Sequence, residues 1–259
     1  MTALIALTTD FGTVDPWVGI VKGVLATRAP EARVVDLTHG VPPQNVLAGA
    51  LVLRYALPYF PPGTIHVAVI DPGVGSERRP ICVETPREVL VGPDNGLLSL
   101  AAAVAPPARA YHLKEGRFFP SPRSATFHGR DVFAPVAAAL ATGTRPSELG
   151  PEIRDMGVLR VPEPRRDAGA IRGEVIYVDH FGNLITNVPQ SLLANFPAEP
   201  TSISIRGTRV AGISPSYAAV SPGQPVAVVN SWNHLEIAVR DGSAAAALGA
   251  RVGDEVTVA

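Results

Sequence analysis

The sequence predicts an α/β N-terminal domain with a mostly parallel sheet, followed by a smaller all-β, barrel-like C-terminal domain. In the first half, apolar strand-like runs alternate with segments of helical spacing, which is typical of helices packed on a parallel sheet. Residues 143–169 are rich in Pro, Arg and Glu and show no clean period. Short β-like runs separated by Gly and Pro follow, as in a small barrel or sandwich. We therefore expect domains at 1–150 and 170–259, joined by a linker at 151–169.

The predicted elements follow from these periods and from the turns that separate them. Those of the first half are strands over 4–8, 34–37, 65–70, 81–84 and 89–91, and helices over 17–27, 46–57 and 132–141. Those of the second half are strands over 174–178, 184–187, 202–205, 226–229, 235–239 and 255–258. Polar turns come directly after several strands, at Asp10, Asp71 and Asp94. In open α/β sheets ligands bind outside the carboxyl ends of the strands, so these positions are the first candidates for a site.

Composition excludes several classes of protein. Of the 259 residues, 46% are hydrophobic and 17% charged, which predicts a packed core. The 22 basic and 23 acidic residues leave a net charge of -1, and there is no basic stripe of the kind that nucleic-acid binders show. No apolar stretch reaches the ~20 residues that a membrane helix needs. The N-terminus shows no secretory signal, so we expect a cytoplasmic protein. The single Cys82 forms no disulfide within the chain and is expected to be a buried apolar side chain.

The turn over 71–79 combines a carboxylate at a strand end with two glycines and an arginine pair. Asp71 is followed by Gly73, Gly75, Arg78 and Arg79. The glycine spacing does not match a phosphate-binding loop, because no helix opens after it. Two interpretations stay open at this point: a functional carboxylate, or a tight turn with an exposed arginine pair.

Three further polar clusters are candidates. His128 stands just before a helix-like run, where a histidine serves as a proton shuttle or only locks a loop, and Asp131 is either functional or the helix N-cap. The turn over 179–183 is a structural hairpin or a place where Asn183 reads an adenine edge. The polar run over 230–237 is a solvated loop or part of a site.

Two familiar chemistries are not indicated. The six histidines are scattered and have no cysteine partners, so no metal site is predicted. The Gly-x-Ser-x-Gly nucleophile elbow of a serine hydrolase is absent from the sequence.

The segments together resemble the S-adenosyl-L-methionine (SAM) hydroxide adenosyltransferases, which are adenosine-forming hydrolases related to the fluorinases and chlorinases. The resemblance runs from Thr8 to Val239, nearly the whole chain. Its blocks, in the family's order, are 8–12 (TTDFG), 70–75 (IDPGVG), 91–96 (VGPDNG), 127–131 (FHGRD), 181–183 (FGN) and 235–239 (LEIAV).

The resemblance implies a fold, an assembly and a set of site residues. It implies an α/β domain, a β-barrel, and a homotrimer whose sites lie between the N-domain of one subunit and the C-domain of the next. The substrate would be SAM, and no cofactor or metal is expected. The implied catalytic residues are Asp71, Arg78 and His128. The implied substrate-binding residues are Asp10 for the ribose, Phe127, Asn183 and Val239 for the adenosyl part, and Asp179, Ser231 and Glu236 near the methionine or nucleoside.

The chain departs from its halogenating relatives at three positions. The halogenases have a tyrosine at the position of Asp71, the fluorinase has a fluoride-holding serine at Gly129, and the halogenases bind the methionine carboxylate through an arginine at Trp232. His234 is an alternative donor for that carboxylate. The first two departures argue against fluorination, and the Asp71 position also speaks against a chlorinase.

The implied reaction is an in-line displacement at the ribose C5′, in which water-derived hydroxide releases methionine and forms adenosine. A sulfonium leaves as a neutral thioether, so the nucleophile is the difficulty. Arg78 and His128 are expected to stabilise hydroxide while Asp71 orients them, because an arginine beside Asp71 makes it a poor base. The proton acceptor stays open. The alternatives are a chlorinase-type halogenase, a non-catalytic SAM or adenosine sensor, and a metal-dependent hydrolase.

Overall fold

The computed structural model describes residues 2–114, 116–167, 169–194 and 202–259. The chain divides into two compact units, Met1–Leu159 and Arg160–Ala259. The first unit is a sheet with helices, and the second is a nearly closed antiparallel sheet, so the predicted fold class is confirmed.

The sheet of the first unit is mixed, with strand order β2-β1-β3-β5-β4-β6-β7 among the described residues. Its strands are β1 (Leu4–Thr9), β2 (Arg33–Thr38), β3 (Ile65–Val69), β4 (Pro80–Glu84), β5 (Val89–Pro93), β6 (Arg109–His112) and β7 (Glu152–Ile153). The four neighbours β2, β1, β3 and β5 run parallel. The remaining strands are added antiparallel, and β4 pairs in that sense with β5. The direction of the sheet therefore reverses between β5 and β4.

Helices α1 (Trp17–Arg28), α2 (Val46–Ala56), α3 (Ser99–Ala102) and α4 (Ala134–Ala141) pack on this sheet. Helix α1 buries Val21 and Leu25, one turn apart, against the core that also contains Phe133. Asn45 is the N-cap of helix α2: its side chain accepts the Ala48 N–H and so caps the first turn.

The second unit is a barrel-like sheet with the order β12-β11-β15-β9-β10-β14-β13, and β8 pairs with β9. Its elements are β8 (Arg165–Asp167), β9 (Ala170–Val178), β10 (Leu184–Pro189), α5 (Gln190–Ala194), β11 (Ser202–Ile205), β12 (Thr208–Ala211), β13 (Pro225–Val229), β14 (His234–Val239), α6 (Ala244–Leu248) and β15 (Glu255–Val258). Alternate apolar side chains of these strands, such as Val175, Leu235 and Ile237, form the core of this unit.

Several element boundaries differ from the sequence prediction. Helix α2 ends at Ala56, and Leu57–Tyr59 forms a 3-10 turn, because Pro58 has no N–H to continue the α-helical ladder. The helix expected over 132–141 begins earlier, as a π turn over Gly129–Phe133 that leads into α4. Strand β12 was not predicted. Within the residues predicted as a linker, Glu152–Ile153 pairs in the first sheet and Arg165–Asp167 in the second.

Two of the expectations drawn from the sequence concern Cys82 and membrane-spanning helices. Cys82 is buried, as predicted, and burial raises the pKa of its thiol. None of the described helices has the length and apolar character that crossing a bilayer requires.

Candidate active site

The strand order brings the candidate residues of the first unit to one edge of the sheet. Asp10 follows β1 and Asp71 follows β3, and these strands are parallel neighbours, so their carboxyl ends meet. Strand β4 runs opposite to β5, with Pro80 paired to Pro93. The residues just before β4, Arg78 among them, therefore return to the same edge. Asp71 and Arg78 meet because of the reversal, although seven residues separate them.

Asp71, Arg78 and His128 form one hydrogen-bonded cluster. The Nε and Nη2 atoms of Arg78 donate to the two carboxylate oxygens of Asp71, and the Nε–Oδ1 distance is 2.8 Å. Nη2 also lies 2.8 Å from Nδ1 of His128. The Arg78 and Asp71 side chains are 9% and 5% exposed. Nη1 of Arg78 is buried and has no partner in the described protein, so one strong donor of a buried cation is left for a ligand.

The contact with Arg78 fixes the protonation of His128. A guanidinium only donates hydrogen bonds, so Nδ1 of His128 accepts and carries no proton. Burial lowers the pKa of His128, and the charge of Arg78 lowers it further. The ring is therefore neutral near pH 7, with its proton on Nε2. In this state His128 donates through Nε2 and has no free lone pair with which to act as a base.

A cavity of about 280 Å³ opens onto two members of this cluster, Asp71 and His128, and Arg78 lies behind them, outside its described lining. It is lined by Asp10, Asp71, His128, Phe127 and Gln44, among others. Oδ2 of Asp10 accepts the backbone N–H of Gln44 at 2.8 Å. Gln44 has φ 64°, a conformation that is uncommon for a non-glycine residue and often marks a functional site. Asp10 is thus held by one oxygen beside the catalytic candidates.

Phe127 lies between this cavity and a second one, of about 430 Å³, that contains Phe11 and Trp17. Its ring meets those of Phe11 and Trp17 edge to face, at centroid distances of 6.0 and 5.5 Å. Phe11 and Phe127 of this aromatic cluster form an apolar wall of the polar cavity.

Two glycines allow close approach around the site. Gly75 has φ +78°, and a Cβ there would come within 2.6 Å of the Ala125 carbonyl oxygen. At Gly129 a Cβ would lie 3.2 and 3.3 Å from the rings of Phe11 and Phe127. A side chain at either position would push into the walls of the site.

The structure decides between the alternatives that the sequence left open for the arginine pair, and it defines the roles of Asp94 and Asp131. The arginine pair is not exposed: Arg78 is 9% and Arg79 is 26% exposed. Arg79 bonds Asp94 at 2.8 Å, and Asp94 also accepts the Gly157 N–H, so Asp94 is a structural partner that does not line the cavity. Asp131 is not a helix cap. It lies inside the π turn and accepts bonds from Arg130 and from the Ser124 N–H.

The second unit has a cavity of its own, of about 560 Å³. Its floor is a row across three hydrogen-bonded pairs, from Tyr177 on β9 through Ile185 and Glu236 to Val228 on β13. Its wall also includes residues on the turns and loops beside these strands, among them Asp179, Tyr217, Asn230, Ser231 and Trp232. Three of the predicted substrate-binding residues, Asp179, Ser231 and Glu236, therefore share one cavity.

The remaining predicted residues of this unit do not line that cavity. Asn183 is nearby, and its backbone and side-chain nitrogens donate to the two oxygens of Asp179 at 2.8 and 2.9 Å. Val239 lies at the end of β14, where its carbonyl accepts the Gly242 N–H. Nδ1 of His234 lies 2.9 Å from the Thr186 carbonyl oxygen, so that nitrogen is engaged by the sheet.

Several residues that line the two cavities were not predicted from the sequence. Gln44 is recognisable only from its left-handed backbone. Tyr177 stands two residues before Asp179, and the period of a strand places both on one face, so this signal was available. Tyr217 lies 19 residues from Glu236, to which its hydroxyl donates at 2.6 Å, and no local pattern indicates that contact. In the part of the chain that the structure describes, no group of three His, Cys, Asp or Glu side chains is arranged to hold a metal.

The fold and the site define a class of enzyme with an α/β unit and a β-barrel unit, each of which holds a polar small-molecule cavity. The family model of the SAM hydroxide adenosyltransferase N-terminal domain matches residues 5–150, and that of the C-terminal domain matches residues 173–257. The chain belongs to the SAM hydroxide adenosyltransferase family.

Individual relatives agree with this assignment. The (R)-S-adenosyl-L-methionine hydrolase of Thermus thermophilus is 44% identical over 251 residues, which cover 94% of each chain. The crystal structure of an uncharacterized conserved protein from Thermotoga maritima has a TM-score of 0.91 and 33% identity, and the match covers 98% of this chain and 99% of that one. A fluorinase from Actinopolyspora mzabensis is more distant, with 27% identity over 91% of this chain and 90% of the fluorinase.

Proposed function

We propose that this chain is a hydrolase that converts SAM and water into adenosine, L-methionine and a proton. The observation that supports this most directly is the cluster of Asp71, Arg78 and His128 on a cavity that also contains Asp10. The named hydrolase relative, at 44% identity, points to the same reaction. Because that relative is named for the (R) epimer, we extend the proposal to a sulfonium of R configuration at sulfur.

The buried hydrogen-bond donors of the cluster stabilise the nucleophile, a hydroxide ion. In the reaction a water oxygen bonds to C5′, the C5′–S bond breaks, and sulfur leaves as a neutral thioether. Nη1 of Arg78 and Nε2–H of His128 are hydrogen-bond donors suited to a hydroxide. Charge-assisted donors in a water-poor site stabilise hydroxide more than they stabilise water. The cationic sulfonium adds to this attraction.

Asp71 acts on the nucleophile through Arg78. Both of its oxygens accept hydrogen bonds from the guanidinium, one from Nε and one from Nη2. These bonds fix the orientation of the guanidinium and leave Nη1 without a partner in the described protein. A proton on Asp71 would weaken its ion pair with Arg78, and the lone pair of His128 at Nδ1 is engaged, so neither residue is well placed to take the proton of the attacking water. We propose that the proton passes to solvent and that hydroxide, not water, is the species bound.

Asp10 holds the ribose. Gln44 fixes its Oδ2, and its remaining lone pairs accept hydrogen bonds from the two ribose hydroxyls. A fixed ribose keeps C5′ in line with the hydroxide and the departing sulfur, and such positioning lowers the barrier. Phe127, Asn183 and Val239 are assigned to the adenosyl part, and Asp179, Ser231 and Glu236 to the opposite end of the substrate.

Asp10, Asp71, Arg78 and His128 belong to the N-terminal unit, whereas Asp179, Ser231 and Glu236 belong to the C-terminal unit. We therefore propose a homotrimer in which the N-terminal unit of one subunit and the C-terminal unit of the next form each site. Light scattering should then give three times the chain mass of 27.1 kDa. Mixing inactive Asp71→Ala subunits with Glu236→Gln subunits under exchange conditions, at a SAM concentration well below KM, should give more activity than the sum of the two separate preparations. A monomer, or no restoration, would argue against this assembly. We also propose a cytoplasmic location and no nucleic-acid or membrane partner.

The central experiment is incubation with each SAM epimer in H₂¹⁸O, followed by chromatography and mass spectrometry. We expect adenosine labelled at the 5′ oxygen and unlabelled methionine, with the R epimer turned over faster. Turnover should be indifferent to chelator and to chloride. A 5′-halogenated nucleoside that forms only with added chloride would instead indicate a halogenase, and binding without turnover would indicate a sensor.

A further inference from the structure

Within one chain, the described lining of the cavity of the second unit carries negative charge without a compensating cation. Asp179 and Glu236 line it, whereas no Lys, Arg or His is among its described lining residues. Glu236 is 3% exposed, and both of its oxygens accept bonds, from the Tyr217 hydroxyl at 2.6 Å and from Nδ2 of Asn230 at 3.1 Å. A carboxylate has about four lone-pair sites, so each acid retains capacity for a further donor.

The rest of the wall is suited to a cation. The rings of Tyr177 and Trp232 meet at a centroid distance of 5.3 Å, and Tyr217 adds a third ring. Aromatic faces attract ammonium groups, and carboxylates do so more strongly. Burial raises the pKa of both Tyr177 and Tyr217, and the neighbouring acids Asp179 and Glu236 raise it further, so both hydroxyls stay neutral. A ligand carboxylate in this cavity would face two acids.

We propose that this cavity reads the aliphatic arm of the substrate through its ammonium group and not through its carboxylate. The inference rests on the proposed function. It implies that a nucleoside sulfonium whose arm ends in a primary amine, with no carboxylate, is also a substrate. Water would displace the arm at C5′, and the products would be adenosine, 3-(methylthio)propylamine and a proton. The substrate class is then cationic adenosyl sulfonium amines, of which SAM is one.

Two analogues separate the contributions of the two groups. Decarboxylated SAM keeps the ammonium, and deaminated SAM keeps only the carboxylate. We expect decarboxylated SAM to lie within about tenfold of SAM in kcat/KM, and deaminated SAM to fall by about 100-fold or more. A loss of 100-fold for decarboxylated SAM, or equal losses for both analogues, would overturn the inference while leaving SAM hydrolysis intact.

Calorimetric titration of the same compounds makes the test independent of turnover. If SAM is bound but not hydrolysed, and the ammonium still decides affinity, the inference stands and the proposed function fails. If neither SAM nor decarboxylated SAM binds, both are overturned.

Variants of the cavity test the same point with matched controls. Trp232→Arg places a cation on the wall and should shift the preference toward SAM over decarboxylated SAM by about tenfold. Asp179→Asn should weaken binding of both amines, whereas Asp241→Asn, an exposed acid outside the cavity, should change neither. Thermal melting of each variant confirms folding. An unchanged preference in Trp232→Arg that melts like wild type would count against the proposal.

Discussion

The two polar cavities of the chain each contain two acids but differ in how those acids are compensated. In the first unit the cavity is lined by Asp10 and Asp71, and Arg78 pairs with Asp71 and keeps a buried donor, Nη1, without a partner in the described protein. In the second unit Asp179 and Glu236 share a cavity whose described lining includes no basic side chain. The first arrangement compensates one of its two acids, whereas the uncompensated acids of the second favour a cation. This difference supports placing the ammonium end of the substrate in the second cavity.

The largest effect is expected at Arg78. Arg78→Lys keeps the charge but loses the fork that binds Asp71 and His128, and should lower kcat by about 10³-fold, or about 4 kcal/mol of barrier. Adenosine release measured by chromatography tests this. Arg79 is next to Arg78 but pairs with Asp94 and Asp155. Arg79→Lys should therefore lower the melting temperature and leave kcat nearly unchanged. Equal losses of kcat in the two variants would remove the distinction between them.

His128 should show the next largest effect. His128→Ala removes one donor to hydroxide and should slow adenosine release by about 10²-fold. Because the proposed nucleophile is hydroxide, kcat/KM should fall with pH in every variant, and because the pKa of His128 is lowered, protonation of the ring should add a second, steeper loss only well below pH 6.5. If that second loss survives in His128→Asn, another group is responsible for it.

Changes in the second cavity should act on binding more than on chemistry. Glu236→Gln keeps the shape and the bond from Tyr217 but halves the formal charge of the cavity, and should raise KM by about tenfold with kcat within about threefold. Steady-state kinetics separates the two parameters. A loss confined to kcat would place Glu236 near the reacting atoms and would contradict the contrast between the two cavities.

The smallest effect on activity is expected at His66, which tests whether burial of a polar group alone marks a site. Both ring nitrogens are buried without a described partner, and burial lowers the pKa to about 4. The unfolded state takes up a proton below about pH 6.5, so stability should fall as pH drops from 6.5 to 4, by about 3 kcal/mol in total. His66→Leu should remove this slope in urea unfolding and leave kcat unchanged.

The sequence predicts the fold class and the catalytic cluster better than it predicts the rest of the site. Asp10 and Asp71 follow strands of a recognisable α/β pattern, so their meeting at one edge follows from the topology. Asp94 has the same local pattern and yet serves Arg79. The difference depends on which arginine of an adjacent pair turns toward which acid, and this is decided by packing rather than by spacing.

Contacts between distant segments are the other part that the sequence does not reveal. Gln44 owes its role to a backbone torsion, and Tyr217 reaches Glu236 from a separate turn. Trp232 was recognised as a departure from the halogenases, but only the absence of a basic side chain from the described lining of its cavity gives the departure a chemical meaning.

The reversal of direction between β5 and β4 also bears on how such enzymes diversify. The segment between β3 and β4 leaves the rim after Asp71 and returns to it before Pro80, so both of its ends are anchored by strands. An exchange of these few residues would replace Arg78, which we propose prepares the nucleophile, and would leave Asp10, the proposed ribose-binding residue, untouched. Exchanging this single segment between relatives would change the attacking or leaving group of the reaction while the rest of the fold stays the same.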